Sequence, residues 1–407
     1  MRILNVTQTY FPFLEFGGPP VKVRSLSQQL VKLGHKVTVL TADWRLETRA
    51  GSAGGAWHAE RSPLGWTLEE AGVESIYLRS PLHYRALSWN PGIAKFCRAR
   101  LWNFDVVHIF GLYDFLGPAV AAACRRSGTP YVVEPIGMFV PIVRNFLLKR
   151  MYHLALGQRM LRDSRTIIAT SPQEVAELAS SGLPPEKILI RRNGVEVPES
   201  VPARGKFRVA AGIPEDSKIV LYLGRLSKKK SPEILLQAFS SLRQAASGAD
   251  LRLIFVGPDE DGMKAELEQM ARHLGISSQV QIRGAVFGDE KWSAYRDADV
   301  FVLPSQNENF GNTACEAMAA GTPVVVTDKC GVAPLLADVA GLVTPHDATA
   351  IARALARVLC EPGMHARLSA GCRTVVARLG WREPAQEMEN LYGQLVNGER
   401  QTAELLH

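Results

Sequence analysis

Short apolar runs alternate with longer amphipathic segments along the whole chain. In the first half such runs predict strands at residues 2–6, 37–40, 106–109, 131–133, 167–169 and 188–190. In the second half they predict strands at residues 219–223, 252–256, 279–283, 300–303 and 323–326. Helical spacing fills many of the gaps, as in residues 23–33, which end before Gly34, a residue that suits a helix C-terminus. This alternation predicts parallel sheets with crossover helices.

A change of composition divides the pattern into two parts. Residues 195–217 contain three prolines and several charged side chains, which is typical of a linker. The chain therefore predicts an α/β protein with two Rossmann-like domains, residues 1–195 and 196–379, and a last helical segment at 380–407.

Two further expectations follow from the organisation of the chain. Residues 42–75 are rich in Gly and Ser and contain three tryptophans, so we expect a long excursion there, on the acceptor side. Ligands of open α/β sheets bind beyond the carboxyl ends of the strands, so candidate site residues should follow predicted strands.

Residues 304–328 carry the strongest chemical pattern. Glu308 and Glu316 lie eight positions apart and bracket a turn at Phe310-Gly311 that opens a helix. Free N–H groups at a helix start suit a pyrophosphate, so Asn312 and Thr313 are candidate anion-binding residues. Carboxylates beside a phosphate site are unfavourable unless they accept hydrogen bonds from hydroxyls, which sugars supply. The pattern predicts one Glu for a transferred sugar and one for a ribose; the alternative is two solvated Glu on a surface helix.

A basic turn follows the predicted strand at 219–223. Arg225 can bind phosphate oxygens with a planar fork, and Lys230 adds a point charge. The alternative is a solvated basic turn before a helix.

These segments together resemble the retaining glycosyltransferases of the GT-B family marked by Glu, seven residues, Glu (glycosyltransferase family 4, glycosyl transferases group 1). The mark is Glu308 to Glu316, within ENFGNTACE. Other blocks occur in family order and span the chain. They are FPFLEFGGPPVKV, LGHKVTVLT, DVVHIFG, EPIGMF, RRNGVEV, YLGRLSKKKSPE, FVGPDEDG and ADVFVLPS.

The resemblance implies a GT-B fold, in which two Rossmann-like domains face a cleft and the last helix crosses back to the first domain. It places Arg225 and Lys230 on the diphosphate of a nucleotide-sugar, Glu308 on the sugar hydroxyls and Glu316 on the ribose. Base contacts come largely from backbone near residues 283–288. The other implied donor-binding residues are Gly17, Gly18, Asn193, Asn309, Phe310, Gly311, Asn312 and Thr313. The leaving phosphate takes the acceptor proton, so no protein nucleophile is required.

Residues of the first half are assigned to the other side of the implied cleft. Gly17-Gly18 follows the first strand, where glycine allows close approach to donor phosphates, although a tight turn is the alternative. Asn193 borders the cleft in a hinge turn. His108 ends a strand and is expected near the sugar or acceptor, with a core or edge histidine as the alternative.

Glu134 is a second candidate catalytic residue of this half. Many relatives have a His two residues later, where this chain has Ile136. A buried Glu134 would need partners or a raised pKa, and it would bind an acceptor hydroxyl or help take its proton. The alternative is structural capping of Gly137.

Metal and cofactor motifs are weak. Asp297-Ala298-Asp299 matches the D-x-D metal motif of a different transferase architecture, but it lies where a helix runs into a strand, so we expect Asp299 to be structural. We predict no metal and no cofactor. The six cysteines have no paired spacing, which predicts reduced structural thiols.

Composition and charge limit the partners. No apolar run approaches the roughly 18 residues of a membrane span, and the start lacks a signal core, so we expect a cytoplasmic protein. A net charge of +7 favours nucleotide phosphates or an anionic membrane surface; no nucleic-acid motif is present. Residues 140–165 carry six basic side chains against one acid, which suits a peripheral membrane helix and a lipid-linked acceptor, or else a solvated helix face.

The predicted function is therefore transfer of a sugar from a UDP-, GDP- or ADP-linked donor to a hydroxyl acceptor in polysaccharide, lipopolysaccharide or glycolipid assembly. Two alternatives stay open: a GT-B sugar-nucleotide epimerase, which needs acid/base carboxylates, and a non-catalytic partner subunit. The presence of Arg225, Lys230, Glu308 and Glu316 argues against the last.

Overall fold

A computed structural model describes residues 1–47, 57–84, 87–139, 151–198, 200–245, 248, 250–260 and 262–404. The chain forms two compact units. The first unit comprises residues 1–194 and the segment from Trp381 onward, and the second comprises Val195–Gly380.

The first unit is built on a nine-stranded sheet with the order β11-β10-β9-β8-β1-β2-β5-β4-β3. Its strands are β1 Arg2–Thr7, β2 Lys36–Ala42, β3 Ala59–Ser62, β4 Gly65–Glu70, β5 Val73–Leu78, β8 Val106–Phe110, β9 Tyr131–Glu134, β10 Thr166–Ala169 and β11 Ile188–Ile190. A separate hairpin joins β6 Leu82–Tyr84 to β7 Leu87–Trp89. All neighbours in the large sheet are parallel except the β3–β4 and β4–β5 pairs.

Helices cover this sheet, and the last helix of the chain belongs to the same unit. They are α1 Gly18–Lys32, α2 Ile93–Arg100, α3 Leu116–Ser127, α4 Gln158–Asp163, α5 Pro172–Ser180 and α14 Arg382–Glu404. On α14, Met388 and Tyr392 are buried in one apolar cluster with Val23 and Leu26 of α1.

The second unit has a wholly parallel six-stranded sheet with the order β14-β13-β12-β15-β16-β17. Its strands are β12 Lys218–Leu223, β13 Leu251–Val256, β14 Val280–Arg283, β15 Val300–Leu303, β16 Val324–Thr327 and β17 Gly341–Thr344. Its helices are α6 Lys206–Ala211, α7 Pro232–Ala245, α8 Met263–His273, α9 Gly288–Asp297, α10 Asn312–Ala319, α11 Ala333–Leu336, α12 Ala348–Cys360 and α13 Met364–Val376.

The strand predictions succeed where strands are covered on both faces. The central strands β1, β12 and β15 are almost entirely buried and read as continuous apolar runs, as parallel strands between helical layers do. The α/β fold with two Rossmann-like sheets is confirmed.

The prediction of an excursion at residues 42–75 is wrong for the described part. β3, β4 and β5 extend the sheet there, and β5 pairs directly with β2. β3 and β4 form an edge hairpin with half-exposed residues, so their apolar content is too low to predict strands by burial. The sequence also missed β17, a short strand that begins with Gly341.

Candidate active site in the second unit

The predicted donor residues follow strand ends of the second sheet. Residues 224–230 follow β12, and residues 304–311 follow the adjacent strand β15. A hydrogen bond from the Gln306 N–H to the Lys229 carbonyl, 3.1 Å long, joins the two loops. The loop after β13 is equally close: a Cβ on Gly257 would lie 1.9 Å from the Gly224 carbonyl oxygen. Three neighbouring strands thus bring their loops to one edge of the sheet.

Lys230 and Glu308 form an ion pair at this edge. The ammonium donates to Glu308 Oε2, and the side chains are 19% and 16% exposed, respectively. Burial, and then the charge of Arg225, lowers the pKa of Lys230 to about 8, so the ammonium is still mostly protonated at pH 7. The structure therefore joins two predicted site residues that are 78 positions apart.

Arg225 lies in the same loop, with a looser partner. Its Nη1 donates to Glu260 Oε1 at 2.8 Å, and the two side chains are 59% and 44% exposed. The Tyr222 hydroxyl donates to the Arg225 carbonyl at 2.6 Å and fixes the backbone. Because an exposed ion pair contributes at most about 1 kcal/mol, a phosphate can replace Glu260 at little cost.

The start of α10 faces this group through a turn that needs glycine. Gly311 precedes the helix with a φ of 107°, in the left-handed region. The Val332 N–H donates to the Phe310 carbonyl at 2.7 Å, which anchors the turn. The Asn312 side-chain oxygen is buried and has no hydrogen-bond partner among the described residues. The helix start is thus held rigidly in the position that the sequence predicted.

Glu316 lies one turn inside α10 and already has two partners. It accepts hydrogen bonds from Lys291 Nζ at 2.9 Å and from the Tyr295 hydroxyl at 2.8 Å, both on α9. Its side chain is only 19% exposed. These partners exclude the alternative of a freely solvated carboxylate, and a ribose would have to share or displace them.

A cavity of about 320 Å³ follows β14. It is lined by Arg283, Gly284, Ala285, Val286 and Glu290. This is the segment that the family resemblance assigns to base contacts.

Asp297 and Asp299 have a structural role. Asp299 accepts hydrogen bonds from Arg204, Arg208 and the backbone N–H of Ile219, at 3.0, 3.1 and 2.8 Å. Asp297 accepts from the backbone N–H of Arg208 at 2.9 Å. The prediction that Asp299 is structural is confirmed, because its carboxylate holds the entry segment of this unit to the sheet.

A buried charge network in the first unit

Glu134 lies at the centre of a buried network. Arg191 Nη2 donates to both of its oxygens at 2.8 and 2.7 Å, and Lys22 Nζ donates to Oε1. His108 Nε2 lies 3.5 Å from the other oxygen, and His108 Nδ1 lies 2.7 Å from the hydroxyl of Tyr392 on α14. Glu134, Arg191 and His108 are 0% exposed, and Lys22 is 2% exposed.

The structure corrects two predicted catalytic residues. Although burial raises the pKa of Glu134, the charges of Arg191 and Lys22 hold it well below the usual range. Such a carboxylate is a poor base, and neither it nor His108 is accessible to an acceptor. The alternative assigned to Glu134 is also wrong: Glu174 Oε1, not Glu134, accepts from the Gly137 N–H, at 2.7 Å.

The remaining predicted residues of this half lie near the start and the end of the unit. Gly18 is the first residue of α1, and Gly17 precedes it with a φ of 103°. Asn193 is buried, and its side-chain oxygen has no hydrogen-bond partner among the described residues. Ile136 adopts a φ of 55°, which is unusual for a β-branched residue. Residues 140–150 of the predicted basic segment lie outside the described residues.

His108 makes stability depend on pH. Burial lowers its pKa to about 4, against the opposing effect of Glu134. The unfolded chain takes up this proton below a pH of about 6.5 and the folded protein only near pH 4, so stability falls as the pH falls through this window. We expect the free energy of unfolding to drop by about 3 kcal/mol more for the wild type than for His108→Asn between pH 7 and pH 4.

Urea unfolding of both proteins at several pH values measures this difference. Parallel pH profiles for the two proteins would show that His108 is not held in its neutral form.

Two family models match consecutive parts of the chain. The glycosyl transferase 4-like domain matches residues 17–194, and glycosyl transferases group 1 matches residues 203–374. A D-inositol 3-phosphate glycosyltransferase of Xylanimonas cellulosilytica is 34% identical over 318 residues, which are 75% of this chain and 70% of the relative. This chain belongs to the group 1 glycosyltransferases.

Other comparisons extend over the full length of the glycosyltransferase. An uncharacterized glycosyltransferase of Methanocaldococcus jannaschii is 28% identical over 415 residues, which cover 96% of this chain and 98% of the relative. The solved structure of Anabaena HepE in complex with UDP and glucose has a TM-score of 0.74 at 17% identity, covering 97% and 100% of the two chains. The fold is therefore GT-B, and the protein is a glycosyltransferase enzyme.

The partners of the predicted glycosyltransferase residues were missed from the sequence. Glu260, Lys291 and Tyr295 hold Arg225 and Glu316, while Lys22 and Arg191 hold Glu134. A signal existed for the last two. Both lie inside blocks that resemble the family, FPFLEFGGPPVKV and RRNGVEV.

Proposed function

We propose that this glycosyltransferase transfers a sugar from a nucleoside diphosphate sugar to a hydroxyl acceptor with retention of anomeric configuration. The observation that carries the proposal is the Lys230–Glu308 pair, which lies with Arg225 and the start of α10 at one sheet edge. Cations and a helix start match a diphosphate, and a carboxylate beside them matches sugar hydroxyls.

In this proposal each group has one task. Lys230 exchanges Glu308 for a phosphate oxygen, and Arg225 exchanges its exposed partner Glu260 in the same way. Glu308 is then released to accept hydrogen bonds from the sugar. Glu316 accepts from the ribose beside Lys291, and the base enters the cavity after β14.

The reaction breaks the bond between the anomeric carbon and the phosphate oxygen. The acceptor oxygen bonds to that carbon on the same face, and its proton passes to the departing phosphate. Lys230 and Arg225 stabilise the charge that develops on the leaving diphosphate, because preorganised charges act most strongly where charge appears in the transition state. Glu134 and His108 have no part in these steps, since their side chains are buried.

Assay of UDP-, GDP- and ADP-sugars with hydroxyl acceptors tests this function. We expect one nucleotide to raise the melting temperature, and its sugar conjugate to give a glycoside whose anomeric proton coupling in NMR matches that of the donor. An inverted product would disprove retention, and an epimerised sugar without transfer would disprove the proposed activity.

Glu316→Gln tests the ribose contact. We expect the Kd of the preferred nucleoside diphosphate to rise about tenfold, because a hydrogen bond to a charged group contributes about 1.5–3 kcal/mol. Isothermal titration calorimetry measures this change. Glu361→Gln, at an exposed ion pair on the same unit, is the matched control and should bind as the wild type does. Equal affinities for all three proteins would remove the ribose role of Glu316.

We also propose that the acceptor is lipid-linked and that the enzyme works at the cytoplasmic face of a membrane. The net charge of +7 supports attraction to anionic lipid. Among the described residues, no helix combines the length and apolar character that crossing a membrane requires. Contact with lipid would therefore be made from the surface by the part of the chain described here.

A further inference from the structure

A cavity of about 540 Å³ lies between α2 and α3 of the first unit, away from the strand ends of the second unit. Its walls are apolar and come from both helices. They include Ile93, Ala94 and Cys97 on α2, and Ala119, Ala122 and Ala123 on α3. A cavity of this size is in the range that holds small ligands.

One end of this cavity is cationic. α2 and α3 run in the same direction, because each leads into a parallel strand of one sheet. Arg98 and Arg126 occupy their last turns, and both line the cavity. Both are exposed, and neither has an ion-pair partner in the described part of the chain. By contrast, the neighbouring Arg125 pairs with Asp163.

An exposed tryptophan stands at the same end. Trp102 lines the cavity and is 69% exposed, the largest exposure of any described large apolar side chain except Val209. Its indole N–H donates to the Ala99 carbonyl at 2.9 Å, which fixes the ring. Tryptophan favours the boundary between apolar and aqueous regions, where its two sides meet different surroundings.

We propose that this cavity is a docking site for an anionic phospholipid of a membrane surface. One acyl chain lies between α2 and α3, and the headgroup phosphate binds Arg98 and Arg126 beside Trp102. The choice rests on charge complementarity, because two unpaired cations stand at one end of a long apolar groove. The site adds a defined lipid contact to the membrane association proposed above, and its test does not require transfer activity.

Vesicle binding tests the headgroup contact. We expect the wild-type protein to float with vesicles of phosphatidylcholine and phosphatidylglycerol, and not with phosphatidylcholine alone. Arg98→Glu/Arg126→Glu should weaken this binding at least about tenfold, since each basic side chain near an anionic surface contributes substantially. Arg353→Glu/Arg373→Glu, at exposed positions of α12 and α13, changes the net charge equally and should change binding less than about twofold.

Groove occupancy is tested at Cys97. All six cysteines are free, as predicted; Cys97 is half-buried in the groove and Cys360 is exposed, whereas the other four are buried. In a Cys360→Ser background, anionic vesicles should slow maleimide labelling of Cys97 at pH 8.5. Ala122→Trp should fill the groove and abolish both this vesicle-dependent protection and most of the binding, while Ala122→Ser should retain them.

Three results would overturn the proposal. They are equal binding to neutral and anionic vesicles or none to either, an equal loss in the two charge-reversal variants, and Cys97 labelling that vesicles do not change. Circular dichroism and melting temperatures of all variants identify any that fail to fold. Failure here would leave the donor chemistry untouched, because sugar transfer to a soluble acceptor is measured separately.

Discussion

Lys230→Ala lowers kcat for sugar transfer by about 10²–10³-fold while the fold survives, the scale expected when one preorganised charge is removed from a transition state. In the unliganded protein Lys230 is paired with Glu308. During transfer its ammonium is expected to stabilise the departing diphosphate. Loss of the charge therefore slows bond breaking more than it weakens donor binding. Arg225→Ala should act in the same direction.

Steady-state kinetics with the preferred nucleotide-sugar measures the effect, and Lys228→Ala is the matched control. Lys228 lies in the same turn, two positions away, and is exposed. It should retain nearly wild-type turnover. If Lys230→Ala and Arg225→Ala both transfer sugar at near-normal rates, neither residue assists the leaving group.

Glu134→Ala lowers the free energy of unfolding by about 3–5 kcal/mol, because it leaves buried cations without their counter-charge. Arg191 and Lys22 both donate to this carboxylate and are fully buried around it. Two positive side chains would then remain in an apolar interior with no anion between them. This is the largest stability effect that we expect from a single substitution in the first unit.

Urea or thermal unfolding measures the loss, with Glu74→Ala as the control. Glu74 pairs with Arg100, and its side chain is 42% exposed, so its removal should cost at most about 1 kcal/mol. Glu134→Gln separates a structural role from a catalytic one. If this variant kept wild-type stability and lost turnover, the acceptor role predicted from the sequence would be restored.

The two Glu residues of the donor site show how far sequence patterns reach. Their spacing around Gly311 predicted a helix start with one carboxylate before it and one inside it, and the structure has that arrangement. Local backbone preference suffices for this, since a left-handed turn and a helix are decided within a few residues. The partners of those carboxylates lie 21 to 78 positions away and were not predictable in the same way.

The edge of the first sheet illustrates the opposite limit. β3 and β4 carry few apolar residues because one side of an edge hairpin meets water, and the excursion that we expected there is a sheet extension. A strand can be predicted by apolar content only where the structure covers both of its faces.

The sequence alone determined that this protein is a two-unit α/β glycosyltransferase, since periodic burial and short motifs depend on neighbours along the chain. Only the tertiary structure decided that Glu134 is a structural anion and that Glu308 waits on Lys230. The physical reason is that the state of a buried charge depends on which distant side chains the sheet order brings against it, and no local pattern records that order.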